Sequence, residues 1–264
     1  METRQDHVAA STPIKLEVNA ATVADVKQAL GAGFRDMAQR PLLSLFFGLV
    51  FALFGFALIA GLTVFDQFWI VVAAGVGFPL VAPFLAAGLY EMSRRIGRGE
   101  DFRAKDIFLV VFRQQRREFG WMSFVVLFVF WIWAYQVRLV LAITLSSQDY
   151  RSLDHLLGAV FTTTDGLIFL MIGTAVGAFL STVLFTITVI SMPLLLDKDV
   201  DFVTAMITSF KTVHKRPAVM LGWGAVVGAL TLLAIAPAFI GIVVVFPILG
   251  HTTWRLYERL VREV

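Results

Sequence analysis

Five long apolar runs dominate the chain, and almost no charged residue interrupts them. They cover about residues 41–65, 67–90, 119–137, 166–196 and 217–254. Each is long enough to form a helix of about 20 residues, which spans the roughly 30 Å hydrocarbon layer of a membrane. The last run would extend about 57 Å as one helix at 1.5 Å per residue, and Pro237 interrupts it. We therefore predict two helices there, joined by a tight turn.

The pattern thus predicts an all-α, polytopic membrane protein with six transmembrane helices arranged as three hairpins. The predicted helices cover about 42–64, 68–90, 120–144, 167–191, 218–236 and 238–256.

A shorter segment with apolar residues at the helical spacing i, i+3, i+4, i+7 precedes each hairpin. The three segments align at offsets of 78 and 176 residues, which predicts a threefold repeat of one amphipathic helix plus one hairpin. A phenylalanine followed by a basic residue recurs in every copy. These candidate interfacial residues are Phe34 with Arg35, Phe112 with Arg113, and Phe210 with Lys211. Such a face suits either anionic lipid headgroups or a docked soluble partner.

The repeat also predicts the domain organisation. Residues 1–21 are polar and of mixed charge, and we expect a disordered N-terminal tail there. Thr22 and Asp25 have the spacing of a capping box and predict the start of the first helix. Residues 22–264 then form a single membrane domain with repeats at about 22–99, 100–197 and 198–264.

Composition supports membrane insertion, because 58% of the residues are hydrophobic and only 16% are charged. Soluble domains have about 45–50% apolar and about 25% charged residues. Counting by segment places 20 of the 22 Lys and Arg residues on the side of both termini. The positive-inside rule makes that side cytoplasmic and predicts a multi-pass protein with cytoplasmic N- and C-termini. The net charge of +3 then reflects orientation, and we expect no nucleic-acid partner.

Few polar residues lie at membrane depth, and three are candidates for a pathway or ligand contact. Arg138 lies near the outer end of the third predicted span, and Asp66 and Asp165 lie at the outer starts of the second and fourth spans. A buried charge is a functional hypothesis by default, so Arg138 is a candidate cation of an anion path or an ion-pair partner for Asp66 or Asp165. The alternatives are that Arg138 extends to the headgroups and that both aspartates cap helices.

Cofactor and catalytic signatures are missing from the sequence. The chain has no cysteine, and of its four histidines only His251 lies in a predicted span. A haem with two axial imidazoles needs two histidines at similar depth. No nucleophile and base share a predicted depth. We therefore predict no cofactor, no metal site and no catalytic residues.

The chain resembles a family of uncharacterised proteobacterial inner-membrane proteins, a domain of unknown function. The resemblance rests on residues 25–37, on Arg40-Pro41, on residues 78–83 and on Gly88-Leu-Tyr-Glu91. Some members of that family are described as cytochrome c oxidase subunit I-like, which implies a place beside a respiratory complex. The intramembrane histidines that such a subunit needs for haem and copper are missing from this sequence.

Three functional hypotheses follow. The first is a non-enzymatic accessory or scaffold component of a membrane complex, in contact with lipid, with a complex partner or with further copies of itself. The alternative is a small-solute or ion transporter or channel with a pathway among the repeats. The second alternative is a membrane enzyme, whose polar groups would have to converge from different repeats.

Overall fold

The computed structural model describes residues 15–63, 68–114, 118–145 and 153–263, and within them the fold is helical apart from one small sheet. The helices are α1 Val23–Gln39, α2 Pro41–Thr63, α3 Phe68–Gly97, α4 Ala104–Gln114, α5 Glu118–Thr144, α6 Leu153–Thr162, α7 Thr164–Thr188, α8 Ser191–Asp197, α9 Phe202–Lys215, α10 Pro217–Ile235 and α11 Ile242–Leu260. The strands are β1 Leu16–Val18 and β2 Val261–Glu263.

Helices occupy all six positions at which spans were predicted. Among the described residues, four stretches are long and apolar enough to cross a membrane. These are Pro41–Gly61, Glu118–Thr144, Thr164–Asp197 and Pro217–Ile235. The prediction of two helices in the last apolar run is confirmed, because α10 and α11 are separated by a turn at residues 236–241. Ala238 and Phe239 in this turn have φ angles of 50° and 67°.

Local sequence explains where several helices begin and end. The predicted capping box is present: Asp25 N donates to Thr22 Oγ1 (3.1 Å) and Thr22 N donates to Asp25 Oδ2 (3.0 Å). Helix α1 ends because Arg40 precedes a proline, which disfavours helical geometry in the preceding residue. Pro193 lacks the N–H that would continue α7, and the helix breaks at residues 189–190 before α8.

The N-terminal segment differs from the prediction of disorder through residue 21. Leu16–Val18 pair antiparallel with Val261–Glu263, and Ala21 is fully buried. Residues 1–14 lie outside the described residues. The predicted tail was therefore too long. Its last residues find backbone partners at the far end of the chain, which a local reading of the sequence does not reveal.

The largest cluster of buried apolar residues is formed by several helices. It contains α8 and the ends of α3 and α11, with buried Ile190, Leu194, Trp254 and Tyr257. Helices α5, α7 and α10 instead carry large exposed apolar side chains such as Ile143 (71% exposed). A surface of this kind suits a lipid environment.

Candidate functional site

The site begins with a bidentate ion pair between α1 and α11. Arg255 Nε and Nη2 donate to Asp36 Oδ2 and Oδ1 at 2.6 and 2.8 Å. Asp36 is only 3% exposed. The helices approach closely at Gly33, where a Cβ atom would lie 2.7 Å from the backbone nitrogen of Thr252. A side chain at residue 33 would therefore push α1 away from α11.

A chain of hydrogen bonds extends the ion pair into the core. Ser93 Oγ donates to Asp36 Oδ2 at 2.8 Å, and it lies 2.7 Å from His251 Nδ1. Because a serine hydroxyl has only one hydrogen to donate, the Nδ1–H of His251 must donate to Ser93. His251 Nε2 then accepts from Ser44 Oγ at 3.0 Å. The neutral imidazole thus has a partner on both nitrogens.

This Asp36 network, comprising Asp36, Arg255, Ser93, His251 and Ser44, joins α1, α2, α3 and α11. Ser44, Ser93 and His251 are fully buried. Buried polar groups are costly unless they are hydrogen-bonded, and here each one has a partner. The network therefore fixes four helices in one arrangement.

Two further polar groups, on α3 and α11, lie close in sequence to members of the Asp36 network. Glu91 is fully buried and accepts from Arg95 Nε at 2.6 Å. Tyr257 donates to Asp197 Oδ2 at 3.0 Å. Burial, together with the Asp197 carboxylate, raises the pKa of Tyr257 well above its ordinary value. The Tyr257 hydroxyl therefore stays protonated and acts as a donor.

A polar cavity of about 420 Å³ opens beside the Asp36 network. Arg35, Asp36, Arg255, Glu258 and Arg259 contribute its charged lining. Arg255 is held by Asp36 and by Glu258 (Nη1 to Oε2, 3.0 Å), and Arg259 donates to Gln28. Arg255 and Arg259 of α11 therefore each bond a side chain of α1, whereas the contact of Arg255 with Glu258 lies within α11.

All six predicted interfacial residues are exposed. The exposed fractions are 57% for Phe34, 63% for Phe112 and 48% for Phe210. The basic residue that follows each phenylalanine is exposed as well.

The three amphipathic helices also share their buried positions. Ala29, Ile107 and Ala205, related by the offsets 78 and 176, are each fully buried. Gly33, Val111 and Ser209, four residues later in each copy, are buried as well. The same face of α1, α4 and α9 therefore packs inward.

Two contacts between a hairpin and the following amphipathic helix are also similar. Arg40 Nη2 donates to Asp101 Oδ1 at 2.6 Å, and its guanidinium lies 5.0 Å from the ring centre of Phe102. Glu118, which is 78 residues after Arg40, accepts at Oε2 from the backbone N–H of Phe202 at 3.1 Å. Phe202 follows Phe102 by 100 residues. In both places the start of one hairpin contacts the start of the next amphipathic helix.

The structure does not bring the candidate pathway residues together. Arg138 is exposed on α5, next to Tyr135 and Leu139, each 60% exposed. Asp165 is exposed in the first turn of α7, whose cap is Thr163, with Gly166 N donating to Thr163 Oγ1 at 3.0 Å. In the described part of the chain no ion pair joins Arg138 to Asp165. Asp66 lies outside the described residues.

The Asp36 network was not predicted from the sequence. One signal was available, because Asp36 lies three residues after Gly33 and seven after Ala29, on the buried face of α1. A charge on that face requires a buried partner. Over the described ranges, no group of three or more His, Cys, Asp or Glu side chains could hold a metal ion.

These features define an integral, multi-pass membrane protein. Residues 70–197, just under half of the chain, match the model of a family described as "Predicted integral membrane protein (DUF2189)". The match runs from α3 to the end of α8, and this part of the chain is similar to that family. No curated protein and no solved structure matches the chain. The proteobacterial origin and the link to cytochrome oxidase stay predictions.

Proposed function

We propose that the protein is a non-enzymatic accessory or scaffold component of a complex in the bacterial inner membrane. It has three hairpin repeats, six spans and cytoplasmic termini. The three amphipathic helices α1, α4 and α9 lie at the cytoplasmic interface, where they contact anionic lipid headgroups and a partner. The observation that carries this proposal is the exposed phenylalanine with its basic neighbour, which recurs at one register in all three helices.

The shared geometry supports the repeat. Arg40 and Arg216 are related by the offset of 176 and bend the chain alike, with φ and ψ of −135° and 60° against −147° and 72°. Each arginine is followed directly by a proline at the start of an apolar helix. An amphipathic helix that ends one residue before a span has its last turns close to the headgroup level.

The burial of Ser44 and His251 supports a structural role for these side chains over a catalytic one. A membrane enzyme would use Ser44 and His251, because the Ser44 hydroxyl donates to the imidazole in the manner of a nucleophile and its base. Both side chains are fully buried, however, so a substrate would reach them only after α2 and α11 separate. The Asp36 network holds these helices together.

The transporter alternative depends on Arg138, and it receives less support. An anion path needs this cation to face a polar cavity enclosed by the helices. The neighbours of Arg138 are exposed aromatic and apolar side chains on the outer surface of α5. That position favours contact with the outer headgroups.

Orientation is testable because the chain has no cysteine. Single-cysteine variants Lys211→Cys and Asp165→Cys are treated in intact spheroplasts with a membrane-impermeant maleimide. We expect Asp165→Cys to react and Lys211→Cys to react only after the membrane is permeabilised. Equal labelling of both sites before permeabilisation would contradict the proposed topology.

The scaffold role is tested by cross-linking in native membranes, followed by mild-detergent purification and quantitative mass spectrometry. We expect one reproducible partner with the wild-type chain. Replacing Phe34, Phe112 and Phe210 by serine should reduce its recovery at least tenfold. A matched variant with three serines at lipid-exposed positions of α10, Val226, Leu232 and Leu233, should retain it. Recovery of the protein alone in every replicate would overturn the proposal.

A further inference from the structure

A groove between β1 and α9 combines apolar and basic side chains. It has a volume of about 510 Å³. Leu16 and Val18 line one wall, and Phe210, Lys211 and Lys215 line the other. We infer that this groove binds the headgroup of an anionic phospholipid, with the acyl chains along the exposed face of α9 and α10. This inference rests on the proposed interfacial position of α9.

The groove is built by two tertiary contacts. Lys215 Nζ donates to the backbone oxygen of Val18 at 2.5 Å, which ties the end of α9 to β1. The ring of His214 stacks on Phe210 with a centre-to-centre distance of 3.8 Å, and the Nδ1 of His214 lies 3.0 Å from the carbonyl oxygen of Phe210. A carbonyl accepts only, so the Nδ1 of His214 carries the hydrogen. The first contact holds β1 beside α9, and the second holds the His214 ring against Phe210 next to the two lysines.

The charge of the groove suits a phosphate. Lys211 and Lys215 contribute two positive charges, and Glu17 on the rim contributes one negative charge. Over the described ranges no ion pair neutralises either lysine. The Lys215 ammonium uses one of its three hydrogens on Val18, so two are left for a ligand. An ammonium group binds phosphate as a compact charge with several donors.

The apolar surface around the groove suits acyl chains. Val203, Ile207 and Phe210 follow the spacing i, i+4, i+7 and are each about half exposed, at 47%, 48% and 48%. This stripe lies on one face of α9. Helix α10 begins two residues after Lys215 as an apolar stretch that is able to cross a membrane. The lysines therefore lie at the start of a span, where headgroups are found.

Helix α4, the amphipathic helix of the second proposed repeat, offers a control. Lys105 and Arg113 on α4 are exposed basic residues, and Arg113 follows Phe112 as Lys211 follows Phe210. Leu16 and Val18 of β1 line the groove beside α9, and the residues that line this groove include none from α4. If charge alone determines lipid binding, α4 and α9 will contribute equally. If the groove determines it, the basic residues of α9 will dominate.

The test measures lipid binding to the full chain purified in an uncharged detergent, by native mass spectrometry with phosphatidylglycerol. Each basic residue near an anionic surface contributes enough to change affinity about fivefold. We expect Lys211→Gln to weaken binding about fivefold and Lys211→Gln with Lys215→Gln about thirtyfold. Lys105→Gln with Arg113→Gln should change it less than twofold. The single Lys211 variant keeps the Lys215 bond to Val18, so it tests binding without loosening β1.

Three further ligands are tested: phosphatidylcholine, inorganic phosphate and polyglutamate. Phosphatidylcholine should bind at least tenfold more weakly than phosphatidylglycerol, and inorganic phosphate at the same concentration should not displace the lipid. Equal loss from the α4 and α9 double variants would overturn the groove as the site. Displacement by inorganic phosphate would assign the groove to free anions, and tighter binding of polyglutamate would assign it to an acidic protein. Each of these three outcomes would refute the lipid site. If the cysteine labelling of Lys211→Cys and Asp165→Cys is as expected, the proposed topology would still hold.

Discussion

Helices α1 and α9 have the same sequence pattern but are held to the rest of the protein by different forces. Both have a side-chain cap, both end at an arginine followed by proline, and both bury the equivalent positions 29 and 205. The inner face of α1 carries Asp36, which is bound to Arg255 on a distant helix. The equivalent residue of α9 is Thr212, whose hydroxyl donates to the carbonyl of Thr208 in its own helix at 2.8 Å.

The difference shows that one amphipathic pattern can be fixed to its bundle in two ways. Helix α9 is joined to α7 by Ser209, whose hydroxyl donates to the carbonyl of Thr186 at 2.7 Å, and by its buried apolar face. Helix α1 depends on a charge pair formed across the whole chain. Loss of one partner of a buried ion pair is far more costly than loss of a hydroxyl. The stability of the protein should therefore be more sensitive to changes in α1 than to equivalent changes in α9.

The largest effect is expected at the ion pair. Asp36→Leu leaves the Arg255 guanidinium without its main partner and should lower the free energy of unfolding by about 3–5 kcal/mol. Thr212→Val, the matched change in α9, should lower it by about 1 kcal/mol or less. Both are measured by denaturant unfolding in detergent micelles. Asp36→Leu combined with Arg255→Met should recover much of the loss, and an equal cost for the two single variants would contradict the comparison.

The next effect is expected at His251. His251→Leu removes the partner of Ser44 and one partner of Ser93, at a cost of about 2–3 kcal/mol. His214→Leu on α9 should change stability by less than about 0.5 kcal/mol, because that side chain is exposed. The melting temperatures of the two variants provide the measurement. A His251→Leu variant as stable as His214→Leu would show that the Asp36 network contributes no net stability.

A smaller effect on stability is expected where α1 packs closely against α11. Gly33→Ala places a Cβ atom against the backbone of Thr252 and should cost about 1–3 kcal/mol. Gly31→Ala meets only ordinary contact with Arg35 at 3.7 Å, and it should stabilise the helix by about 0.5–1 kcal/mol. Thermal unfolding distinguishes the two by the sign of the change in melting temperature. Destabilisation of the same size by both variants would show that the approach of α1 to α11 is looser than the structure describes.

The smallest effect is expected at the caps, where α1 and α9 should behave alike. Thr22→Ala and Asp201→Ala should each cost about 1 kcal/mol. Hydrogen bonds from Thr204 lower the pKa of Asp201 below its ordinary value. The cap of α9 therefore stabilises the fold above the unfolded pKa of Asp201, and this stabilisation is lost as the pH falls through the lower folded value.

Asp201→Asn retains a capping side chain without the charge, so its melting temperature should depend less on pH in the acid range than that of the wild-type chain. Melting temperatures recorded at a series of acid pH values measure this difference. Identical pH profiles for the two proteins would show that Asp201 contributes no pH dependence.

The sequence predicted much of the fold because the relevant signals are local. Hydrophobic runs placed helices at all six expected positions, and Pro237 marked the turn between α10 and α11. The β1–β2 pairing was not predicted, because three-residue strands at opposite ends of a chain carry no pattern of their own.

Some features of the candidate site could likewise be predicted from the sequence, and others depend on tertiary packing. Exposure of Phe34, Phe112 and Phe210 agrees with the helical period, whereas the role of each residue at the membrane stays a proposal. Arg138 was a candidate site residue because it is a charge within an apolar run. Whether it is buried or exposed depends on which helices pack against α5, and the structure leaves it exposed. A run of apolar residues does not reveal which face of the helix meets protein.

The sequence by itself determined the helices, the Thr22 cap of α1 and the shared register of the three amphipathic segments, since these depend on residues within a few turns of one another. Only the tertiary structure decided that Asp36 pairs with Arg255 across 219 residues and that Ser93 meets His251 across 158 residues. The physical reason is that a buried polar group is satisfied by whichever partner the packing of the helices brings within hydrogen-bond distance. Periodicity shows that Asp36 faces inward, and the packing of α1 on α11 determines what it meets there.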